Sequence, residues 1–171
     1  GVATKKPEYI LNLEASTVLK HILEGKGYKV IMTRESHDVN ISNSERAIFA
    51  NNNKADMVVR VHADSLNNPG KTGASILIPA KESKYTTAIY EDSQNCANLI
   101  SSKMKEAGIK VNGVFERGDL TGFNWSQVPV VLVEMGFLSN YTEDQMMSNP
   151  EYQTKLMQAI SDGLDEYFAN K

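Results

Sequence analysis

The sequence predicts a single α/β domain with a mostly parallel, twisted sheet flanked by helices. Short apolar runs alternate along the chain with segments whose apolar residues recur at helical spacing, and this alternation is typical of a parallel sheet. Two of the runs, residues 58–64 and 130–137, have the composition of buried strands. The 171 residues contain no internal repeat, low-complexity segment or linker, and this length is sufficient for one domain with a sizeable core.

The amino-terminal half is predicted to hold two helices and three strands. Pro7 suits the first position of a helix, where a missing N–H removes no hydrogen bond, and Gly25 and Gly27 end that helix. Ser42 and Glu45 have the spacing of a capping box, so a second helix is expected to run to about residue 51. The predicted strands are Tyr28–Met32, residues 58–64 and Gly73–Ile78, the last of which follows a loop rich in Asn, Pro and Gly.

The carboxy-terminal half is predicted to hold three helices and two strands. A long helix covers about residues 85–107 and ends at Gly108. Thr142 has the spacing to cap a short helix, and Asn149 followed by Pro150 begins the last helix. The predicted strands are a short one at Val114–Glu116 and the apolar run at residues 130–137.

The composition excludes several classes of protein. Hydrophobic residues make up 41% and charged residues 23% of the chain, which is ordinary for a soluble globular protein. The net charge of −3 gives no basic footprint for nucleic acid, and no run approaches the roughly 18 apolar residues of a membrane span. The single Cys96 cannot form an internal disulfide, and its apolar spacing in a helix predicts a buried packing thiol.

Two of the predicted strands end in residues that suit zinc-dependent hydrolysis. His62 lies near the end of the first apolar run and Glu134 near the end of the second. Ligands bind outside the carboxyl ends of strands in open α/β sheets, neutral imidazole is a common zinc ligand, and a carboxylate can act as a general base. The alternatives are a structural, hydrogen-bonded His62 and a Glu134 that caps a turn or forms a buried ion pair with Arg60, which shares a strand face with His62.

Five segments together resemble the zinc-dependent N-acetylmuramoyl-L-alanine amidases of the Amidase_3 family. They follow the family's order over nearly the whole chain, and the details are most similar to the spore-cortex (CwlD-type) members. The segments are Glu8 with Asn12-Leu13, residues 27–34, Glu45-Arg46 with Ala50-Asn51, residues 55–64 and residues 128–140. The resemblance implies a Zn²⁺ cofactor, with Glu8 and His62 as ligands and Glu134 as the catalytic carboxylate.

Physical chemistry agrees with the implied role of Glu8. The first turn of a helix favours the ionised carboxylate that a metal requires, although a Glu8 that only satisfies the helix dipole is the plain alternative. Glu14 lies six residues further on, roughly 240° around the helix, and is expected to face solvent.

The resemblance also implies the substrate and the setting. The bond cleaved is the amide between N-acetylmuramic acid and L-alanine of peptidoglycan, in spore-cortex formation, and the location is extracytoplasmic. An activator protein is a plausible partner, whereas nucleic acid is not expected. The candidate substrate-binding residues are Asp64, Arg117, Leu120 and Asn124.

One departure from the family concerns its third zinc ligand, a His in an Asp-x-Gly-His motif after the first strand. His21 is predicted to lie on an exposed helix face and His37 in a polar loop, so neither replaces it. We expect residues 1–171 to form the catalytic domain without that strand and ligand, which would lie upstream of Gly1, since the chain begins without Met or a signal region. The alternatives are a non-catalytic peptidoglycan-binding module with a degenerate metal site and a zinc carboxypeptidase. A nucleotide-binding domain is disfavoured because no Gly-rich loop follows a strand.

Overall fold

Six helices and four strands build the fold. The computed structural model describes all residues from 1 to 171. The elements, in chain order, are α1 (Glu8–Gly25), α2 (Asn43–Asn52), β1 (Val58–Asp64), β2 (Ala74–Pro79), α3 (Thr87–Glu106), β3 (Val111–Arg117), α4 (Thr121–Asn124), β4 (Val130–Phe137), α5 (Tyr141–Met147) and α6 (Pro150–Ala169). None of the six helices combines the length and the apolar character that crossing a bilayer requires.

The four strands form one open sheet in the order β1-β4-β2-β3. β1 is parallel to β4 and β2 is parallel to β3, while β2 and β4 are antiparallel, so two of the three pairings are parallel. This confirms the predicted α/β class with a mostly parallel sheet. The register of β1 and β4 aligns His62 with Glu134, which makes these two residues neighbours across the sheet.

The main core lies where α1, α3 and α6 pack together and against the sheet. α3 and α6 approach closely at Gly163, where a Cβ would lie only 2.6 Å from the Cα of Ile100, so only glycine fits there. Cys96 is buried in this core as a free thiol, as predicted. The stripe of α1 that faces the core consists of Leu11, Ala15, Leu19 and Leu23.

The predicted strand at Tyr28–Met32 is wrong. These residues are irregular, and in this stretch only Tyr28 makes a backbone hydrogen bond, by donating its N–H to the carbonyl of Leu23. A strand needs a neighbour that takes up its backbone N–H and C=O groups, and no strand lies beside this segment. The apolar pattern was therefore insufficient to define a strand.

The remaining elements follow the predictions, with local differences. α5 is capped by Asn140, whose side chain accepts a hydrogen bond from the N–H of Glu143, rather than by Thr142. β3 is longer than the predicted Val114–Glu116, because it pairs along the full length of β2. The one-turn helix α4 was not predicted.

Candidate active site

Glu8 and His62 come into direct contact beside Glu134. Oε1 of Glu8 lies 3.0 Å from Nδ1 of His62, and the same oxygen accepts hydrogen bonds from the side chain of Asn12 at 3.0 Å and the N–H of Ala63 at 3.3 Å. The start of α1 therefore meets the end of β1, next to the β4 residue Glu134. Residues from three separate elements converge on one place.

The start of α1 is held in position by a buried carboxylate that the sequence did not single out. Asp144 of α5 is fully buried and accepts hydrogen bonds from the N–H groups of Ala3 and Thr4 at 2.7 Å and from the Thr4 hydroxyl at 2.8 Å. Pro7 offers no side-chain cap to α1. Asp144 thus fixes the segment that leads into Glu8, and no local pattern in the sequence signals this contact over 140 residues.

The surroundings of Glu8 favour its ionised form. The hydrogen bond with His62 outweighs the opposing effect of burial, and with the bond from Asn12 it lowers the pKa of Glu8 to about 2. A carboxylate that is ionised across the physiological range is a suitable donor to a cation.

Glu134 is in the opposite electrostatic situation. Burial, together with the nearby negative charges of Asp64 and Glu8, raises the pKa of Glu134 to about 7. Its Oε2 atom is buried and has no hydrogen-bond partner. Buried polar atoms are nearly always paired with a hydrogen-bond partner. The lack of one at Oε2 indicates that this oxygen binds a group such as a water molecule or a substrate atom. A carboxyl with this pKa can both accept and release a proton near neutral pH.

The alternative of a buried Arg60–Glu134 ion pair is not supported by the structure. The two residues form no salt bridge, and the guanidinium of Arg60 instead donates to the side-chain oxygen of Asn43 at 2.8 Å. Glu134 is therefore free of a direct cationic partner.

Two of the donors that a zinc ion needs are present together. Two ligands of one tetrahedral zinc lie roughly 3.3 Å apart, since each bond is about 2.0–2.2 Å long, and the 3.0 Å separation in the Glu8–His62 pair is close to this. However, the chain contains no group of three or more His, Cys, Asp or Glu side chains able to hold a metal ion. His21 and His37 are both exposed, as expected. The pair fits part of a zinc site and leaves at least one protein ligand to be supplied.

The four candidate substrate-binding residues fall into two groups. Asp64 ends β1, and its charge raises the pKa of Glu134, whereas the positive charge of Arg117 lowers it, so both lie within electrostatic range of that carboxyl. Arg117 is held by two 2.7 Å hydrogen bonds to Asp119. Leu120 is half-buried against the small cluster around Phe123. The side chain of Asn124 donates to the carbonyl of Gly118 at 3.0 Å and so closes its own loop.

The raised pKa of Glu134 leads to a prediction for the protein stripped of metal. Native Glu134 retains its proton up to about pH 7, whereas unfolded Glu134 loses it near 4.5, so the free energy of unfolding must fall as the pH rises between these values. The decrease due to this group is at most about 3 kcal/mol. Urea unfolding between pH 5 and 8 should therefore show the wild type losing stability relative to Glu134→Gln. If the free energy of unfolding changed with pH in the same way for both proteins, the raised pKa of Glu134 would be contradicted.

Comparisons with known proteins were consistent with one another. Residues 1–166 match the family model of Amidase_3, described as N-acetylmuramoyl-L-alanine amidase. The probable cell wall amidase LytH of Staphylococcus saprophyticus is 28% identical over 166 residues, which are 96% of this chain and 51% of that protein. This chain thus spans about half the length of the LytH proteins that it matches.

Solved structures agree with this match. The N-acetylmuramyl-L-alanine amidase Ami1 from Mycobacterium smegmatis has a TM-score of 0.90 at 25% identity, and the alignment covers 100% of this chain and 82% of Ami1. The CwlD amidase from Clostridioides difficile, in complex with the GerS lipoprotein, has a TM-score of 0.85 at 25% identity over 98% of this chain and 89% of CwlD. This chain therefore belongs to the Amidase_3 family of N-acetylmuramoyl-L-alanine amidases.

Proposed function

We propose that the protein is a zinc-dependent hydrolase that cleaves the amide bond between N-acetylmuramic acid and L-alanine in peptidoglycan. The observation that carries the proposal is the contact between Glu8 and His62 beside a buried, unpartnered Glu134 oxygen, in a chain of the amidase family. An ionised carboxylate, an imidazole and a carboxyl with a pKa near 7 are the groups that metal-assisted amide hydrolysis requires.

In this proposal Glu8 and His62 would hold the zinc ion, and a further protein ligand, which the family resemblance implies, would complete the ligand set. A bound zinc ion supplies a Lewis acid for the scissile carbonyl and lowers the pKa of its water to about 7. Asn12 and the N–H of Ala63 donate to Oε1 of Glu8 and so orient the carboxylate. Such supporting hydrogen bonds fix ligand orientation in metal sites.

Glu134 acts as the general base and then as the general acid. Its unpartnered Oε2 accepts the proton of the attacking water, and the protonated carboxyl then delivers that proton to the leaving amine of L-alanine. Both protonation states are accessible at neutral pH because the pKa is about 7. Asp64, Arg117, Leu120 and Asn124 contact the substrate in this proposal.

The relatives also bear on where the protein acts and on its partner. The names of the LytH relatives place their activity at the cell wall, and CwlD was solved with a lipoprotein partner. We therefore propose that this protein acts outside the cytoplasm, in spore-cortex formation, and that an activator protein binds it. A partner that orders an incomplete ligand set would raise the apparent affinity for zinc.

The test of the proposed function is digestion of purified peptidoglycan with the full-length protein. We expect mass spectrometry to find intact stem peptides with a free N-terminal L-alanine, and we expect a chelator to stop their release until zinc is restored. Stem peptides that stay attached to the glycan but lose their C-terminal residue would instead indicate a carboxypeptidase.

A non-catalytic wall-binding module remains the second candidate, because the chain itself holds only two grouped ligands. Full-length protein that binds peptidoglycan, contains no zinc after purification in its presence and releases no peptide would favour that alternative. Near-stoichiometric zinc would favour the enzyme.

A further inference from the structure

One row of residues crosses the whole sheet at the level of Glu134. His62 of β1 pairs with Glu134 of β4, Glu134 pairs with Ser75 of β2, and Ser75 pairs with Gly113 of β3. Residues that pair across neighbouring strands present their side chains on the same face of the sheet. The row therefore begins at the contact between Glu8 and His62 and ends at β3, the outermost strand on the other side.

An exposed aromatic ring lies over the far end of this row. A Cβ at Gly113 would lie 3.1 Å from the Cζ atom of Phe115, so the Phe115 ring covers the Cα of Gly113. Phe115 is 46% exposed and belongs to neither apolar cluster of the core. Ligand sites are usually lined by hydrophobic and aromatic side chains with a few polar groups among them. The ring is thus available to a ligand that lies on this face.

A cation lies on the same face of β3. Arg117 follows Phe115 by two residues, and its side chain is 43% exposed. Its Nε and Nη2 atoms donate to Asp119, whereas Nη1 makes no hydrogen bond and keeps its donors for a ligand. Asp119, and then the charges of Glu134 and Asp64, raise the pKa of Arg117, so the guanidinium lies within electrostatic range of the site. We call this surface the β3 shelf, and its residues are Ser75, Gly113, Phe115 and Arg117.

The proposed reaction decides which half of the substrate faces the β3 shelf, and the inference rests on that proposed function. The scissile carbonyl would lie at Glu8 and His62, and Glu134 would return a proton to the leaving amine of L-alanine. The direction from His62 to Glu134 leads across the sheet from β1 and β4 to β2 and β3. The leaving peptide would therefore continue beyond Glu134, over the shelf.

The dimensions and the charge of the β3 shelf suit a short anionic peptide. Neighbouring strands lie about 4.8 Å apart, so β3 is roughly 10 Å from β4, and an extended peptide spans this in about three residues. The second residue of a peptidoglycan stem is a glutamate joined through its γ-carboxyl group, which leaves its α-carboxylate free. An oriented guanidinium forms strong, charge-assisted hydrogen bonds with such a carboxylate.

We propose that the β3 shelf binds the stem peptide, with Phe115 packed against its first residues and Nη1 of Arg117 donating to the free carboxylate of its second residue.

Titration of the full-length protein with two synthetic tripeptides tests the role of Arg117. The peptides are L-Ala-γ-D-Glu-L-Lys and its counterpart in which the free α-carboxylate of the glutamate is an amide. We expect the first to bind at least about tenfold more tightly, the effect of one charge-assisted hydrogen bond, and we expect Arg117→Gln to reduce this ratio to about one. Equal affinities in the wild type, or an unchanged ratio in Arg117→Gln, would overturn the proposal.

The matched control is Lys81→Gln. Lys81 is exposed and lies beside β3, where its backbone N–H donates to Glu116, so the variant removes a nearby positive charge from outside the shelf. The ratio of the two affinities should stay at the wild-type value. A decrease equal to that in Arg117→Gln would show that only the net charge matters, and the pairing with Arg117 would be wrong.

Phe115→Ala is expected to weaken the binding of both peptides about tenfold and equally, because the ring packs against the part that the two peptides share. The same variant should raise KM for release of stem peptides while kcat and bound zinc stay unchanged. Phe115→Tyr keeps the ring and should retain wild-type affinity. Wild-type affinity in Phe115→Ala would contradict the packing of the peptide on this ring.

Peptide binding is measured without turnover, so its outcome is independent of hydrolysis. Selective binding of the carboxylate peptide, without release of stem peptides from peptidoglycan, would support the β3 shelf and contradict the hydrolase. Release of stem peptides by a protein that binds both tripeptides equally would support the hydrolase and overturn the role of the shelf.

Discussion

Glu134→Gln is expected to lower the turnover of peptidoglycan amide hydrolysis by about 10²–10⁴-fold, the range over which a positioned general base contributes. Glutamine has nearly the same shape but cannot accept and return a proton. Because Glu134 is not one of the two residues in the ligand pair, bound zinc should remain stoichiometric. The measurement is release of stem peptides from peptidoglycan, together with the zinc content of the same preparation.

The matched control is Glu116→Gln. Glu116 is an exposed carboxylate near the end of β3, where it accepts a hydrogen bond from the Tyr90 hydroxyl at 2.7 Å, and its loss should leave turnover unchanged. Retained activity in Glu134→Gln would remove Glu134 from the role of base. Loss of zinc from that variant would make Glu134 a metal ligand instead.

The convergence of Glu8, His62 and Glu134 was only partly predictable from the sequence. Each strand end could be located from its apolar run, and the carboxyl ends of parallel strands lie at one edge of a sheet. Nothing local, however, states that β1 and β4 are neighbours, since 65 residues separate the two strands and β2 and β3 lie between them in the chain. Only the resemblance to the family joined these three residues in advance.

Two features show why local patterns fail. Tyr28–Met32 has a strand-like composition and yet forms no strand, because strand formation depends on a neighbour that composition does not specify. Asp144 holds Ala3 and Thr4 through contacts between residues 141 and 140 positions apart in the chain. By contrast, the capping box of Ser42 and Glu45 forms as predicted, since all its hydrogen bonds lie within four residues.

Glu8→Gln is expected to weaken zinc binding by at least about 100-fold, and hydrolysis should fall with it. Changes to residues that merely support a metal ligand cost 10–100-fold in affinity, so loss of the ligand charge itself should cost no less. The Glu8 carboxylate is ionised, since its pKa is about 2, and it lies against His62. A neutral amide in that position is a much poorer zinc donor. Titration with a competing chelator measures the affinity directly.

The control for this variant comes from the same helix. Glu14 is exposed and forms a 2.6 Å salt bridge with Lys6, so Glu14→Gln should leave zinc affinity unchanged. If Glu8→Gln retained wild-type zinc affinity, Glu8 would not be a zinc ligand. Its carboxylate would then only interact favourably with the helix dipole. The two site variants are then distinguishable, because Glu8→Gln loses zinc and activity together, whereas Glu134→Gln loses activity alone. That contrast separates holding the metal from moving the proton.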